Sequence, residues 1–221
     1  MAEIIEISRL ALHDQVASRL RTMLVEGHIA PGAKLNEREL SEQLRVSRTP
    51  LREAIKLLGA EGLVDLLPNR GAVAVKLTEA DVMNTFEVLA TLEGMSGELA
   101  AQRVSDEELA ELRALQYEMM ACFARRDLSG YYRINNRIHT AINQAAKNPV
   151  LTATYRSINA RVQSLRFRTN QNEAKWKAAV VEHEQMIDAL AAHDADALRK
   201  VLTAHVLRKR DTVLELLRAG E

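Results

Sequence analysis

The stretch from Arg45 to Leu58, RVSRTPLREAIKLL, decides how the first third of the chain is read. Leu51, Ala54, Ile55 and Leu58 recur at i, i+3, i+4 and i+7, the spacing that lines up four apolar side chains on one face of a helix. Arg48, Arg52 and Lys56 recur every four residues on another face of the same helix. Pro50 suits its first turn, where a missing N–H costs nothing, and Ser47 or Thr49 supplies the N-cap. The segment therefore reads as a helix running to about Gly59, with a core stripe and a separate row of cations near its start. A solvated amphipathic helix fits the same description, so the neighbouring segments have to decide between the two.

Upstream, Val16, Leu20, Met23 and Leu24 keep helical spacing until Gly27 and the Pro31-Gly32 turn stop them. Asn36, followed three residues later by Glu39, is a variant of the capping box and opens a short second helix to about Leu44. Two short helices across a tight turn make a helix-turn-helix, although helical hairpins share that pattern. Downstream, Leu63–Leu67 is strand-like, Pro68-Asn69-Arg70-Gly71 has turn chemistry, and Ala72–Val75 resumes the strand. Three helices and a hairpin, in that order, predict a winged helix-turn-helix over residues 1–76. In such a fold the third helix enters the major groove, where Arg48 and Arg52 reach guanine edges or phosphates. Ser47 and Thr49 suit close phosphate contacts, and Arg38 and Arg70 would add contacts on either side.

Composition bounds the reading. With 221 residues, 47% hydrophobic, 27% charged and only 4% aromatic, the chain is an ordinary globular one rich in helix formers, long enough for two modest domains. Thirty Lys and Arg balance thirty Asp and Glu, which argues against a chain that coats nucleic acid nonspecifically and confines any DNA binding to a local surface. No leader or membrane span is expected at the start of the chain, so the expectation is a cytoplasmic protein with no membrane partner. The lone Cys122 reads as a small buried apolar residue.

From Thr78 onward the pattern is helical throughout, with expected spans of about 79–103, 105–126, 128–146, 149–171, 174–192 and 194–218 and a break near Asn170 to Asn172. Six consecutive helices over residues 77–221 predict an all-α antiparallel bundle, which makes the fold class mainly α. Asn135 and His139 share one helix face, and His183 and His205 lie on two later helices. Imidazoles from different helices converging inside a bundle suit a divalent transition metal, with an oxygen donor one turn from a histidine completing the set. Taken singly, each histidine is also readable as a hydrogen-bonded core residue. A tri-His centre is chemically competent to activate water, so a metal-dependent enzyme is the alternative, with Glu182 or Glu184 as its base.

Residues 27–75 resemble the DNA-binding domain of the GntR-family transcription regulators. The match runs through Pro31-Gly32, Leu35, Glu39-Leu40, Val46-Ser47-Arg48-Thr49-Pro50, Arg52-Glu53-Ala54, Glu61-Gly62-Leu63 and Arg70-Gly71. The resemblance implies that Arg38, Ser47, Arg48, Thr49, Arg52 and Gly71 contact a DNA operator. Residues 79–217 are similar to the helical FCD effector domain of the FadR subfamily, in its six-helix, VanR-like form. That resemblance implies a metal site at Asn135, His139, His183 and His205, holding zinc or nickel, with a small carboxylate effector docking on the metal. Asn135 stands where the family more often has Asp, which leaves three imidazoles as the principal donors. The family's arginine on the first bundle helix is missing from Phe86–Glu93. Arg133, Arg137, Arg161, Arg166 and Arg168 remain as carboxylate partners, and Arg161 and Arg166 are the preferred pair. The expectation is a ligand-responsive regulator, a repressor by the commoner family behaviour. It would act as a homodimer on a palindromic operator, since one recognition helix reads too few bases alone.

Overall fold

A computed structural model describes residues 12–68, 70–168 and 173–219, with the side chains of 168 and 173–175 excepted. Residues 1–11, Asn69 in the wing turn, the break near Asn170 to Asn172 and the Arg168 side chain therefore lie outside the described residues. The chain divides at Lys76/Leu77 into two compact units.

The first unit holds α1 (Leu12–Val25), α2 (Glu37–Leu44), α3 (Arg48–Ala60), β1 (Val64–Leu67) and β2 (Gly71–Ala74). Val16, Leu20, Met23 and Leu24 of α1 bury against the Leu51, Ala54, Ile55 and Leu58 stripe of α3. Arg21 closes a two-pronged bond to Glu61 at 2.9 and 2.6 Å, tying α1 to the end of α3. Asn36 caps α2 by accepting from the Arg38 and Glu39 amides, while its own amide donates to Glu39 Oε1 at 2.7 Å. The strands pair antiparallel from Val64↔Ala74 to Leu67↔Gly71, and Lys34 adds a bridge to Val73. Gly71 opens β2 at φ +86°, a conformation that side-chain-bearing residues rarely adopt. The result is the expected winged helix-turn-helix, with strand ends within one residue of those read in the sequence.

The second unit holds α4 (Glu79–Arg103), α5 (Asp106–Ala124), α6 (Leu128–Ala145), α7 (Pro149–Arg168), α8 (Glu173–Ala191) and α9 (Ala195–Arg218). Each start has a sequence cause where a cap is seen: capping boxes at Thr78/Asp81 and Ser105/Glu108, and Asp127 and Asp194 as N-caps. The core gathers Leu112, Met119, Tyr131, Ile138, Met186, Leu190, Leu198 and Leu202 from α5, α6, α8 and α9. The longest packed pair is α4 on α9. Gly97 makes that approach possible, because a Cβ there would stand 2.5 Å from Leu202 Cδ1 and 3.0 Å from Leu198 Cγ, both enclosed. Glycine inside a helix costs about 1 kcal/mol relative to alanine, so its use here marks a crossing that close packing dictates. The crossing brings the middle of α4 beside the imidazole-bearing part of α9. Among the described residues no helix is long and apolar enough to cross a membrane.

Candidate functional site

Two sets of residues singled out in the sequence fall in the two units. In the first unit, the buried stripe of α3 leaves Arg48, Arg52 and Lys56 exposed on the opposite side. Ser47 is the N-cap of α3 without a side-chain cap hydrogen bond, and Thr49 is exposed one position inside. Arg38 on α2 pairs with Glu42 at 3.2 Å, and Arg52 reaches across to Glu37 of α2 at 2.8 Å. Both pairs are largely exposed, so each contributes only about 0–1 kcal/mol and a phosphate can exchange for the carboxylate at small cost. Arg48 has no ion-pair partner among the described residues and occupies the first turn of α3, which contains no acid. The free amides of a helix N-terminus already favour an anion, and Arg48 adds a full positive charge there. Arg70 and Gly71 are exposed at the wing.

In the second unit, His139 of α6, His183 of α8 and His205 of α9 converge. Their ring centroids stand 5.0, 5.2 and 5.1 Å apart, and one nitrogen of each lies within 4.8 Å of the others. All three are buried, His183 completely. Asn135 is buried one turn before His139 on α6. Among the described residues the Nε2 atoms of His139 and His205 and both nitrogens of His183 have no hydrogen-bond partner. Enclosed ring nitrogens left without partners are costly to desolvate. A shared divalent ion would satisfy one nitrogen of each ring at once, and neutral imidazole donors suit zinc or nickel. The donor set therefore fits the ion.

Two carboxylates complete the surroundings: Glu93, which the sequence left unassigned, and Glu182, read there only as a base of the enzyme alternative. Glu93 of α4 accepts from His139 Nδ1 at 2.6 Å and faces Arg166 Nη1 at 3.4 Å. Glu182 of α8 accepts from His205 Nδ1 at 2.5 Å and from Arg208 Nε at 2.7 Å. The burial of Glu93, though not its partner, was detectable: Val82, Phe86, Leu89, Ala90, Glu93, Gly97 and Ala100 form the buried stripe of α4, and a lone acid on an apolar stripe signals an enclosed carboxylate. The preferred arginines separate clearly. Arg166 is buried and donates to Asn159 Oδ1 at 2.8 Å, whereas Arg161 is exposed on α7, as are Arg133 and Arg137 on α6. Glu184, one candidate base of the enzyme alternative, is exposed, and Glu182, the other, is engaged by His205 and Arg208.

Burial pushes the His183 and His205 imidazoles well below the ordinary histidine range, and the charge of His139 acts in the same direction. Burial by itself would raise the Glu93 carboxyl, but the charge and hydrogen bond of His139, followed by Arg166, overcome it and hold Glu93 at about 2. These shifts act on stability with one sign. In the unfolded chain the imidazoles titrate near 6.5 and a glutamate near 4.3. Below those values the unfolded state binds more protons than the folded one, so stability falls with falling pH. The metal-free protein is expected to lose melting temperature as pH falls from 7 to 5, His183 and His205 each contributing up to about 1.4 kcal/mol per pH unit. A divalent ion held by these imidazoles would be bound more weakly over the same window, because protons compete for the donors. A melting temperature that stays level between pH 7 and pH 5, measured by calorimetry, contradicts this account.

A winged helix with an exposed cationic face, followed by a helical bundle with an enclosed imidazole cluster, is the build of a DNA-binding transcription regulator. Comparison with known proteins gives the same class. Residues 12–73 match the bacterial regulatory proteins of the gntR family, and residues 84–208 match the FCD domain. The chain belongs to the GntR family of transcription regulators, with an FCD domain as its second part. It is 32% identical over 207 residues to the Nta operon transcriptional regulator of Aminobacter aminovorans, covering 90% of this chain and 92% of that one. It is 25% identical over 205 residues to the HTH-type transcriptional repressor RspR of Escherichia coli, covering 93% and 90%. Among solved structures, E. coli McbR/YncC shares the fold at a TM-score of 0.84 and 22% identity, over 95% of this chain and all of that one. These relatives are regulators, so the family places the chain with DNA-binding proteins and not with enzymes.

Proposed function

We propose that the protein is a repressor that binds a palindromic operator as a homodimer and is modulated by a small carboxylate held at or near a divalent metal ion. Residues 1–76 form the DNA-binding domain, and 77–221 the effector-binding and dimerisation domain. In the operator complex Arg48 and Arg52 reach base edges or phosphates, Ser47 and Thr49 contact the backbone, and Arg38, Arg70 and Gly71 flank them. His139, His183 and His205, with Asn135 as an added oxygen donor, hold zinc or nickel. The ion supplies positive charge and open positions for a carboxylate, and Arg166, buried next to Glu93, is its guanidinium partner in preference to the exposed Arg161. Effector and DNA affect one another reciprocally, because each biases the same conformational equilibrium.

The observation that carries the DNA-binding part is the division of α3 into a buried apolar stripe and an exposed cationic face whose first turn holds no acid. The E. coli relative's being a repressor supports the direction of regulation. Selection of bound duplexes from a randomised DNA library, with the full chain as bait, tests the whole reading. It should enrich a two-fold symmetric sequence whose binding constant falls steeply with salt, with a logarithmic slope of about −5 to −9 for 6–10 phosphate contacts. Stripping metal with a chelator should change the operator affinity. Failure to enrich any sequence, together with a shallow salt slope, would overturn the proposal.

A further inference from the structure

Three imidazoles meet in the bundle, and in two of them the protein itself decides which nitrogen faces the shared space. A carboxylate oxygen only accepts hydrogen bonds, so a ring nitrogen facing one must be the protonated nitrogen. His139 presents Nδ1 to Glu93 and His205 presents Nδ1 to Glu182. In each neutral ring the lone pair therefore sits on Nε2, and those two Nε2 atoms are the ones with no hydrogen-bond partner among the described residues. Among the described residues His183 has no hydrogen-bond partner on either nitrogen, and its ring packs edge-on against those of His139 and His205. Each carboxylate is in turn gripped from behind by a guanidinium. Arg166 faces Glu93 inside the bundle with a side chain 4% exposed, and Arg208 holds Glu182 near the surface with a side chain 54% exposed.

We infer that Glu93 and Glu182 are positioning residues of the metal centre: each locks one histidine with Nε2 toward the ion, and together they set metal affinity without touching the metal. The inference rests on the proposal that the three histidines are ligands. A carboxylate behind a ligating imidazole fixes its tautomer and makes it a stronger donor, and losing such a partner typically costs 10–100-fold in affinity. The two carboxylates are unequal. Solvent screens the half-exposed Glu182–Arg208 pair far more than the enclosed Glu93–Arg166 pair, so Glu93 contributes more of the affinity.

The test uses the full chain stripped of metal. Zinc affinity is read by competition with a chromophoric chelator, and cobalt(II) absorption reports the geometry of the bound ion. Glu182→Leu is expected to weaken zinc binding by roughly 10–100-fold and to alter the cobalt band, with the metal-free melting temperature little changed. Glu182→Gln keeps an acceptor oxygen without the charge and should fall between wild type and Glu182→Leu, an ordering that a merely structural role would not produce. Glu93→Gln should weaken binding more than Glu182→Gln, and the exposed Glu184→Gln should match wild type. Wild-type zinc affinity and cobalt spectra in both Glu182→Leu and Glu93→Gln would overturn the inference while leaving the ligands in place. If His183→Leu also binds zinc as wild type does, the ligand proposal itself fails, and the inference with it.

Discussion

His183→Leu is expected to abolish tight zinc or nickel binding while leaving the metal-free protein at least as stable as wild type. The two halves of that result have opposite physical origins. His183 is fully buried, and neither of its nitrogens has a hydrogen-bond partner among the described residues. An unsatisfied buried polar group costs about 1–3 kcal/mol, and leucine restores apolar volume at the same place without that cost. A residue kept for packing alone would not carry two idle polar atoms at the centre of a hydrophobic bundle. With a metal present the comparison reverses. An ion that binds only the folded state stabilises it by RT ln(1 + [L]/Kd), about 4 kcal/mol at a thousand times Kd, and the variant forfeits that gain. The expected measurement is a pair of melting curves. Wild type gains many degrees on adding zinc and loses them to chelator, whereas His183→Leu shows one curve throughout. A variant that melts well below metal-free wild type, or still shifts with zinc, contradicts the assignment.

The parts of this architecture that depend on local chemistry were legible in the sequence. Helix starts follow from side chains within three residues of each cap, as at Asn36, Ser105, Asp127 and Asp194, and these boundaries fall close to where they were read. The cationic face of α3 was equally legible, because one period of 3.6 residues sorts Leu51, Ala54, Ile55 and Leu58 from Arg48, Arg52 and Lys56. The imidazole cluster was legible only as a set of candidates. His139 and His183 meet across two intervening helix reversals, which spacing along the chain cannot predict. Glu93 was harder still. Its role depends on α4 lying beside both α6 and α9, and the approach to α9 follows from close packing at Gly94 and Gly97, not from any motif around the glutamate itself. Arg161 and Arg166 illustrate the same limit: they share a helix, yet one is enclosed and the other exposed, because the buried face of α7 is set by what packs on it.

Arg48→Ala and Arg52→Ala should each lower operator affinity by about thirtyfold or more without measurable loss of fold stability or metal binding. For Arg48 the stability half of this is almost forced. A cation in the first turn of a helix opposes the helix dipole by about 0.3–1 kcal/mol, and Arg48 has no ion-pair partner among the described residues to offset it. Alanine there should be neutral or slightly stabilising, so the arginine is retained at a small expense to the domain. Arg52 gives up only its half-exposed contact with Glu37, a pair of the kind that contributes about 0–1 kcal/mol. On the DNA side the losses are larger. A bidentate arginine–guanine contact discriminates by about 1–3 kcal/mol, and a two-fold symmetric complex contains each contact twice. The combined loss of about 2–6 kcal/mol corresponds to between about thirtyfold and about twenty-thousandfold. The pattern of loss separates the two roles. If an arginine reads a base, its removal relaxes preference at one operator position; if it neutralises a phosphate, affinity falls across all sequences and the salt slope shrinks by about one per contact. Retention of wild-type operator affinity in both variants would mean that the face opposite Leu51 and Leu58 is merely solvated, and that α3 is not the helix that enters the groove.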